Sequence, residues 1–196
     1  RVEPDVIART LAGAPMKRRI KEAIALPLME RYHRYLLRHS SVALLQGGDT
    51  GATTGDFNVS SGATLDFASS FELGAASDIA GAGNVHFSAG TTNVAGSITI
   101  SGITTINGGT VNFNNDQTVS AITLSSGTLG GSLAAVNSNG LLTWTGGTMT
   151  GSGVTNANGG MQLGDGVSFS QLILDGRTLN NAAGQTATMT TQAYLN

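Results

Sequence analysis

The chain of 196 residues contains no cysteine, so neither a disulfide framework nor a cysteine-ligated metal site is available to it. It also lacks the run of about 18 apolar residues that a membrane-spanning helix requires. Only 11% of the residues are charged and 5% are aromatic, and a formal net charge of −2 argues against the whole chain binding a polyanion. Because 40% of the residues are apolar, the composition also differs from that of disordered chains, which combine low hydrophobicity with high charge.

The composition changes abruptly near residue 45. Residues 1–45 contain all three prolines, nine of the ten basic residues and a single glycine, and they carry a formal charge of +5. Residues 46–196 contain 27 glycines, no proline and one basic residue, Arg177, and they carry a formal charge of −7. A change of this size indicates a boundary, and we divide the chain into a basic helical segment, residues 1–40, and a domain of residues 41–196.

The first segment has the periodicity of an amphipathic helix. Leu28, Tyr32, Leu36 and His39 recur at intervals of three or four residues after Pro27. A helix of about three turns is not stable alone in water, so we expect it to pack on the first coil of the domain as a cap, near Phe57. The alternative is a foreign sequence that packs on nothing. The basic residues of this segment would also suit binding to anionic lipid or nucleic acid, although a helix face that is simply exposed to solvent is the favoured interpretation. These basic residues are Lys17, Arg18, Arg19, Lys21, Arg31, Arg34 and Arg38.

The second segment consists of short runs in which apolar and polar residues alternate. This two-residue period is typical of strands that are buried on one face. Gly, Ser and Asn, which favour turns, separate the runs. The runs are Asp56-Phe57-Asn58-Val59, Thr64-Leu65-Asp66-Phe67, Asn84-Val85-His86-Phe87, Ser97-Ile98-Thr99-Ile100, Thr110-Val111-Asn112-Phe113, Ala121-Ile122-Thr123-Leu124 and Leu142-Thr143-Trp144.

A glycine followed by threonine and an apolar residue recurs along this segment. The instances begin at Gly62, Gly109, Gly127, Gly147 and Gly176, with one residue inserted after the first and the last glycine. The spacing is compatible with stacked coils of about 20 residues, hence about seven coils. We therefore predict a mainly β protein, a right-handed parallel β-helix (β-solenoid) with a short N-terminal α-helical segment. A β-sandwich is the competing fold, but it usually has longer strands and a more aromatic core.

Two stretches resemble repeats of very large bacterial surface proteins. They are residues 140–153 (GLLTWTGGTMTGSG) and residues 174–182 (LDGRTLNNA). The sequence from about residue 42 to 196 is similar to the β-solenoid repeats of autotransporter passengers and filamentous-haemagglutinin-like adhesins. That resemblance implies secretion, display at the bacterial cell surface, attachment to the outer membrane through other domains, and flanking solenoid repeats in a longer chain. It transfers no catalytic residue.

The residues that usually carry chemistry are scattered. The eight acids of the domain are widely spaced, although Asp56 and Asp66 fall on adjacent faces and Asp175 is two residues from Arg177. No glycine-rich stretch continues into a tandem calcium-binding repeat or a phosphate-binding loop. The acids are Asp49, Asp56, Asp66, Glu72, Asp78, Asp116, Asp165 and Asp175.

Histidine and serine do not suggest a catalytic pair either. His33 and His39 are six residues apart, which does not place them on one metal, and His86 alternates outward. We expect no serine to lie near a histidine. The sequence thus predicts no catalytic, cofactor-binding or metal-binding residues and no cofactor.

The predicted function is a structural or adhesive module that is not an enzyme. Its partner would be an unidentified surface ligand, such as a host molecule or a carbohydrate. The first alternative is a polysaccharide lyase or hydrolase on the same coil, which needs two or more acids converging within about 10 Å. The second alternative is binding of an anionic polymer or a membrane through residues 1–40, which salt would weaken.

Overall fold

The computed structural model describes the backbone of residues 42–45 and the complete chain at residues 53–132, 134–190 and 192–196. The helix predicted within residues 1–40, its role as a cap, and the boundary near residue 41 lie outside this part of the chain, as does Asp49. The described part contains strands, turns and bends but no helix. Consequently, no helix long and apolar enough to cross a membrane occurs in it.

The strands come in threes, and each set of three forms one turn of a solenoid. The first face, formed by the first strand of each turn, consists of β1 (Val42–Leu45), β3 (Thr64–Ala68), β6 (Asn84–Ala89), β9 (Ile103–Ile106), β12 (Ala121–Leu124), β15 (Leu142–Trp144), β18 (Met161–Leu163) and β21 (Ala187–Met189). The second face consists of β4 (Phe71–Leu73), β7 (Thr91–Val94), β10 (Thr110–Phe113), β13 (Thr128–Gly130), β16 (Gly147–Thr150), β19 (Ser170–Asp175) and β22 (Ala193–Leu195). The third face consists of β2 (Phe57–Val59), β5 (Asp78–Gly81) and β8 (Ser97–Ile100), then β11 (Gln117–Val119), β14 (Ala135–Ser138), β17 (Val154–Ala157) and β20 (Thr178–Asn181).

All ladders between the strands named above are parallel, which excludes the β-sandwich and confirms a parallel β-solenoid. On the first face the paired residues of successive coils are 18 to 22 positions apart, except for the last step of 26, from Met161 to Ala187. Eight strands on this face make seven steps, and at about 4.8 Å for each step the stack is about 34 Å long. The right-handed sense of the coil stays a prediction.

The core is made of columns in which residues of successive coils lie directly above one another. Phe67 and Phe87 belong to one such column and stack with ring centroids 5.3 Å apart at an interplanar angle of 14°. The column continues through Ile106, Leu124 and Trp144, all completely buried. Because neighbouring coils supply both sides of each contact, a single coil has no core of its own.

Three of the recurring Gly-Thr phrases stack on the second face. Thr110, Thr128 and Thr148 are paired in register, and a glycine precedes each of them. Gly147 has a positive φ of 83°, and a Cβ placed on it would lie 2.5 Å from the carbonyl oxygen of Gly127 in the preceding coil. Only glycine permits both that conformation and that approach, so the phrase marks a corner where successive coils are in close contact.

The third face is interrupted between β8 and β11, and the side chain of Gln117 bridges the gap. Gln117 is 2% exposed. Its Oε1 accepts a hydrogen bond from the backbone N–H of Ile98 at 3.0 Å, and its Nε2 donates to the carbonyl of Gly96 at 2.8 Å and to Oδ1 of Asn115. A side-chain amide has the same donor and acceptor as a peptide group, so it replaces the missing strand hydrogen bonds.

Candidate functional site

The closest approach to a catalytic constellation in the described part of the chain lies on the outer surface of the first face. Asp66 in β3 and His86 in β6 are paired in register, and Ser88 follows His86 at the same-face interval of two residues. The Ser88 hydroxyl donates to Oδ1 of Asp66 at 2.7 Å, and Nδ1 of His86 lies 3.6 Å from the same oxygen. The expectation that no serine lies near a histidine is therefore wrong for Ser88.

The sequence contained only part of the signal for this cluster. The two-residue period places His86 and Ser88 on one face, and that could have been noticed. The position of Asp66 depends on the step of 20 residues between paired positions such as Thr64 and Asn84. Steps on this face vary by several residues, so the pairing of Asp66 with His86 does not follow from the sequence alone.

The geometry of this cluster does not activate the serine. In a serine–histidine pair the hydroxyl hydrogen faces the imidazole, which removes the proton as the oxygen attacks. Here the Ser88 hydroxyl donates to the carboxylate instead. In addition, Nε2 of His86 is buried and has no hydrogen-bond partner among the described residues, so it faces neither the serine nor solvent. The cluster therefore holds two polar side chains on Asp66 without forming a proton relay.

Three further acids accept hydrogen bonds from residues of the next coil. Glu72 accepts from Nδ2 of Asn93 at 2.5 Å, and Asp116 accepts from the backbone N–H of Ala135 at 2.8 Å. Asp78 accepts from the hydroxyl of Ser97, one coil further, at 2.5 Å. Within the described ranges no three histidine or acidic side chains are grouped so that they would hold a metal ion.

Asp56 and Asp66 lie on adjacent faces, as the sequence suggested. Asp56 is exposed and directly precedes β2 on the third face, whereas Asp66 is half-buried on the first face. The oxygen of Asp66 is shared by Ser88 and His86, as described above. Adjacent faces therefore do not by themselves make the two acids a catalytic pair.

Arg177 is the buried cation of the solenoid, being 4% exposed. Its Nε donates to the Thr155 hydroxyl at 2.8 Å, and its two Nη atoms face carbonyl oxygens at 3.2 to 3.4 Å. Those carbonyls belong to Gly130, Gly131, Thr150 and Val154, so the side chain connects three successive coils. Burial lowers the pKa of Arg177 to about 10.

Asp175 does not pair with this arginine, although it is only two residues away in sequence. It is exposed and accepts a hydrogen bond from the Thr150 hydroxyl at 3.4 Å. Arg177 remains charged at neutral pH because even its lowered pKa is far above 7. Its surroundings of carbonyl dipoles solvate a cation but provide no base, so the residue fastens coils together rather than taking part in acid–base chemistry.

A six-residue loop between β18 and β19, residues 164–169, accounts for most of the long step on the first face. The backbone N–H groups of Val167 and Ser168 donate to Oδ1 of Asp165 at 2.9 and 2.8 Å. These two hydrogen bonds lower the pKa of Asp165, and the one from Ser168 has the larger effect. Val167 and Phe169 are each 81% exposed, the largest exposures of any large apolar side chain in the described residues. The loop therefore presents two apolar side chains to solvent.

The last coil presents an apolar edge. β20, β21 and β22 each end the strand order of their sheet, so one edge of each is unpaired within the described part of the chain. Met189 and Leu195, which are paired in register with the buried Leu163 and Leu172, are 48% and 42% exposed, and Tyr194, paired with the exposed Gln171, is 52% exposed. We call this surface, formed by β20, β21 and β22, the terminal edge. Unpaired strand edges with apolar side chains readily accept further strands.

A comparison of the chain with family models, curated proteins and solved structures finds no match in any of the three.

Proposed function

We propose that this chain is a structural and adhesive module of a large secreted bacterial surface protein, and that it is not an enzyme. The observation that carries this proposal is the terminal edge. Its strands continue the parallel ladders that join the other coils, and its exposed Met189 and Leu195 continue core columns because they are paired with the buried Leu163 and Leu172. The occupant that fits such a surface is another coil of parallel strands, as flanking solenoid repeats would supply.

The lateral faces support the adhesive part of the proposal. Thr105, Thr123 and Thr143 form an outward column on the first face, and Thr110, Thr128 and Thr148 form another on the second. Columns of hydroxyl groups with so little charge suit a polar, uncharged partner such as a carbohydrate, because they offer both donors and acceptors. The identity of the ligand, and the location at the bacterial surface, are part of the proposal.

The enzymatic alternative rests on Asp66, His86 and Ser88. A hydrolase or lyase that cleaves polysaccharide would require a second acid within about 10 Å of Asp66, because glycosidic bonds are hydrolysed by a pair of carboxyl groups and not by a serine–histidine pair. The test is incubation with a panel of acidic and neutral polysaccharides. Release of new reducing ends or unsaturated products would contradict the non-catalytic proposal, particularly if His86→Ala abolished it.

Association of the isolated chain tests the role of the terminal edge. With no flanking coil present, the edge should pair with another copy, so sedimentation velocity should show larger species as the protein concentration rises. Leu195→Lys places a charge on this edge and should reduce the association. Leu141→Lys is the matched control, because Leu141 is 46% exposed but lies on the side of the stack.

Two results would contradict the proposal. One is a chain that stays monomeric at every concentration, and the other is an equal effect of the two lysine variants. Circular dichroism of both variants would establish that each retains its β structure, so that a loss of association is not a loss of folding.

A further inference from the structure

Three asparagines of the solenoid are followed directly by glycine, and their surroundings differ in a way that matters for their chemistry. Asn107 follows β9 on the first face, and Asn139 and Asn158 follow β14 and β17 in successive coils of the third face. All three asparagines are exposed. We propose that Asn107 is a site of spontaneous deamidation in the folded protein, that Asn158 reacts more slowly, and that Asn139 is protected.

The reaction needs only the chain and water. The backbone nitrogen of the following glycine loses its proton and attacks Cγ of the asparagine side chain. The N–Cγ bond forms, the Cγ–Nδ2 bond breaks, and ammonia leaves with the protons that it needs, which produces a five-membered succinimide. Water then opens the ring at either carbonyl and yields aspartate or isoaspartate. Glycine favours the attack because it has no Cβ to hinder the approach.

A glycine N–H that is already hydrogen-bonded must first give up that bond. The N–H of Gly140, after Asn139, donates to the carbonyl of Ser120 at 2.5 Å. In addition, Oδ1 of Asn139 accepts a hydrogen bond from Nδ2 of Asn158 at 3.2 Å, which restrains the side chain. Loss of one ordinary hydrogen bond before attack slows a reaction by about five- to tenfold. Asn139 should therefore react slowest.

Asn158 is the natural counterpart of Asn139, since the two occupy the same position in successive coils. The N–H of Gly159, after Asn158, has no hydrogen-bond partner among the described residues. Its own leaving group, Nδ2, is however the donor to Asn139. The attacking nitrogen of Gly159 is therefore free, whereas the side-chain amide of Asn158 is held by its hydrogen bond. We expect an intermediate rate of deamidation at Asn158.

Asn107 has neither restraint. Its side chain makes no hydrogen bond within the described ranges, and the N–H of Gly108 has no partner there either. The backbone of Asn107 is nevertheless anchored, since its N–H donates to the carbonyl of Phe87 at 3.2 Å and its carbonyl accepts from the Ser126 hydroxyl. The site therefore combines a free nucleophile, a free side chain and a fixed position on the surface.

The experiment compares folded and urea-unfolded protein during incubation in mildly alkaline buffer. Chymotryptic peptides are then analysed by mass spectrometry for conversion of each asparagine to aspartate or isoaspartate. Trypsin is unsuitable because Arg177 is the only basic residue between residues 46 and 196. In the unfolded protein the three sites should react at similar rates. In the folded protein Asn107 should react about tenfold faster than Asn139, with Asn158 between them.

The variant Asn107→Gln is the chemical control, because attack on the longer side chain closes a six-membered ring and is much slower. It should remove the fast phase and leave the rates at Asn139 and Asn158 unchanged. Equal rates at the three sites in the folded protein would overturn the proposal. So would an Asn107 that stays intact while the same residue in the unfolded protein is fully converted.

Discussion

Two buried threonines of the solenoid differ in what their hydroxyl groups contact. Thr104 in β9 is 1% exposed and occupies a core column between Val85 and Ile122. Its Oγ1 has no hydrogen-bond partner among the described residues. Thr155 in β17 is completely buried, and its hydroxyl accepts the bond from Nε of Arg177. Because threonine and valine have nearly the same shape, replacement with valine isolates the contribution of each hydroxyl group.

Thr104→Val should stabilise the protein by about 1 kcal/mol. The change removes a buried polar atom that has no partner and adds an apolar methyl group to an aliphatic column. The midpoint of urea unfolding should therefore increase. Thr105→Val, at the adjacent outward position, is the matched control and should have little effect. A decrease for Thr104→Val would show that its hydroxyl has a partner after all, such as a bound water.

Thr155→Val should have the opposite effect and destabilise the protein by about 2 kcal/mol, which is typical of a lost hydrogen bond to a charged group. The guanidinium of Arg177 would keep its charge and lose its shortest contact. The effect of Arg177 on the stability of the folded protein also depends on pH. The folded pKa of Arg177, about 10, is below the ordinary value of an arginine, so burial of the cation costs stability below pH 10, and that cost is relieved as the pH rises further. Unfolding of the two threonine variants by the same method measures the contrast, and equal effects would contradict it.

At the scale of the strand, alternation in the sequence predicted where many strands lie. All seven alternating runs coincide with strands, for example Ser97–Ile100 and Ala121–Leu124, although Asp56 of the first run directly precedes its strand. Strands whose inward positions are polar were harder to recognise. Thr92 in β7, Thr104 in β9 and Ser138 in β14 are buried although their residue types suggest the outer surface. Packing between coils decides burial there, and a single-strand pattern does not contain that information.

The replacement of strand hydrogen bonds by Gln117 was also not predictable from the sequence. It depends on the position of Gly96 and Ile98 one coil earlier, which is a property of the register. A glutamine in an alternating run has the appearance of an ordinary outward residue. The same reasoning applies to the candidate site, because Asp66 and His86 become neighbours only through the stacking of two coils.

Gln117→Glu should destabilise the protein by about 3 kcal/mol at neutral pH. The change keeps the size of the side chain but replaces the donor to the carbonyl of Gly96 with a buried carboxylate oxygen. Burial and that carbonyl would raise the folded pKa of the new acid above its unfolded value, so the loss should diminish as the pH falls through the folded pKa. Thermal unfolding at several pH values measures this, with exposed Gln171→Glu as the control. A pH-independent loss would argue against a buried carboxylate.

At the scale of the whole molecule, stability should vary along the axis of the stack. Each coil contacts only its neighbours, so an inner coil is held on two sides and the last coil on one. The composition and the coil length predicted such a stack, but they did not predict which end residues are exposed. In the last coil every residue of β20 and β21 is exposed or half-buried. In β12 and β15, by contrast, buried residues alternate with half-buried ones.

Native-state hydrogen exchange should therefore show a gradient towards the terminal edge. Amides of β21 and β22 should exchange fastest, those of β18 and β19 more slowly, and those of β12 and β15 only through global opening. The interior coils lose protection only if both neighbouring interfaces open, whereas the last coil separates from one. Peptide-resolved mass spectrometry measures this order, and Leu195→Lys should accelerate exchange in β22 while leaving β12 unchanged. Uniform protection along the stack would contradict the gradient and would have one of two explanations: either the coils unfold as one cooperative unit, or the terminal edge is already covered by a second copy in solution. Repetition of the measurement at a concentration at which sedimentation shows a monomer separates these two explanations, since only the cooperative unit would keep its uniform protection there.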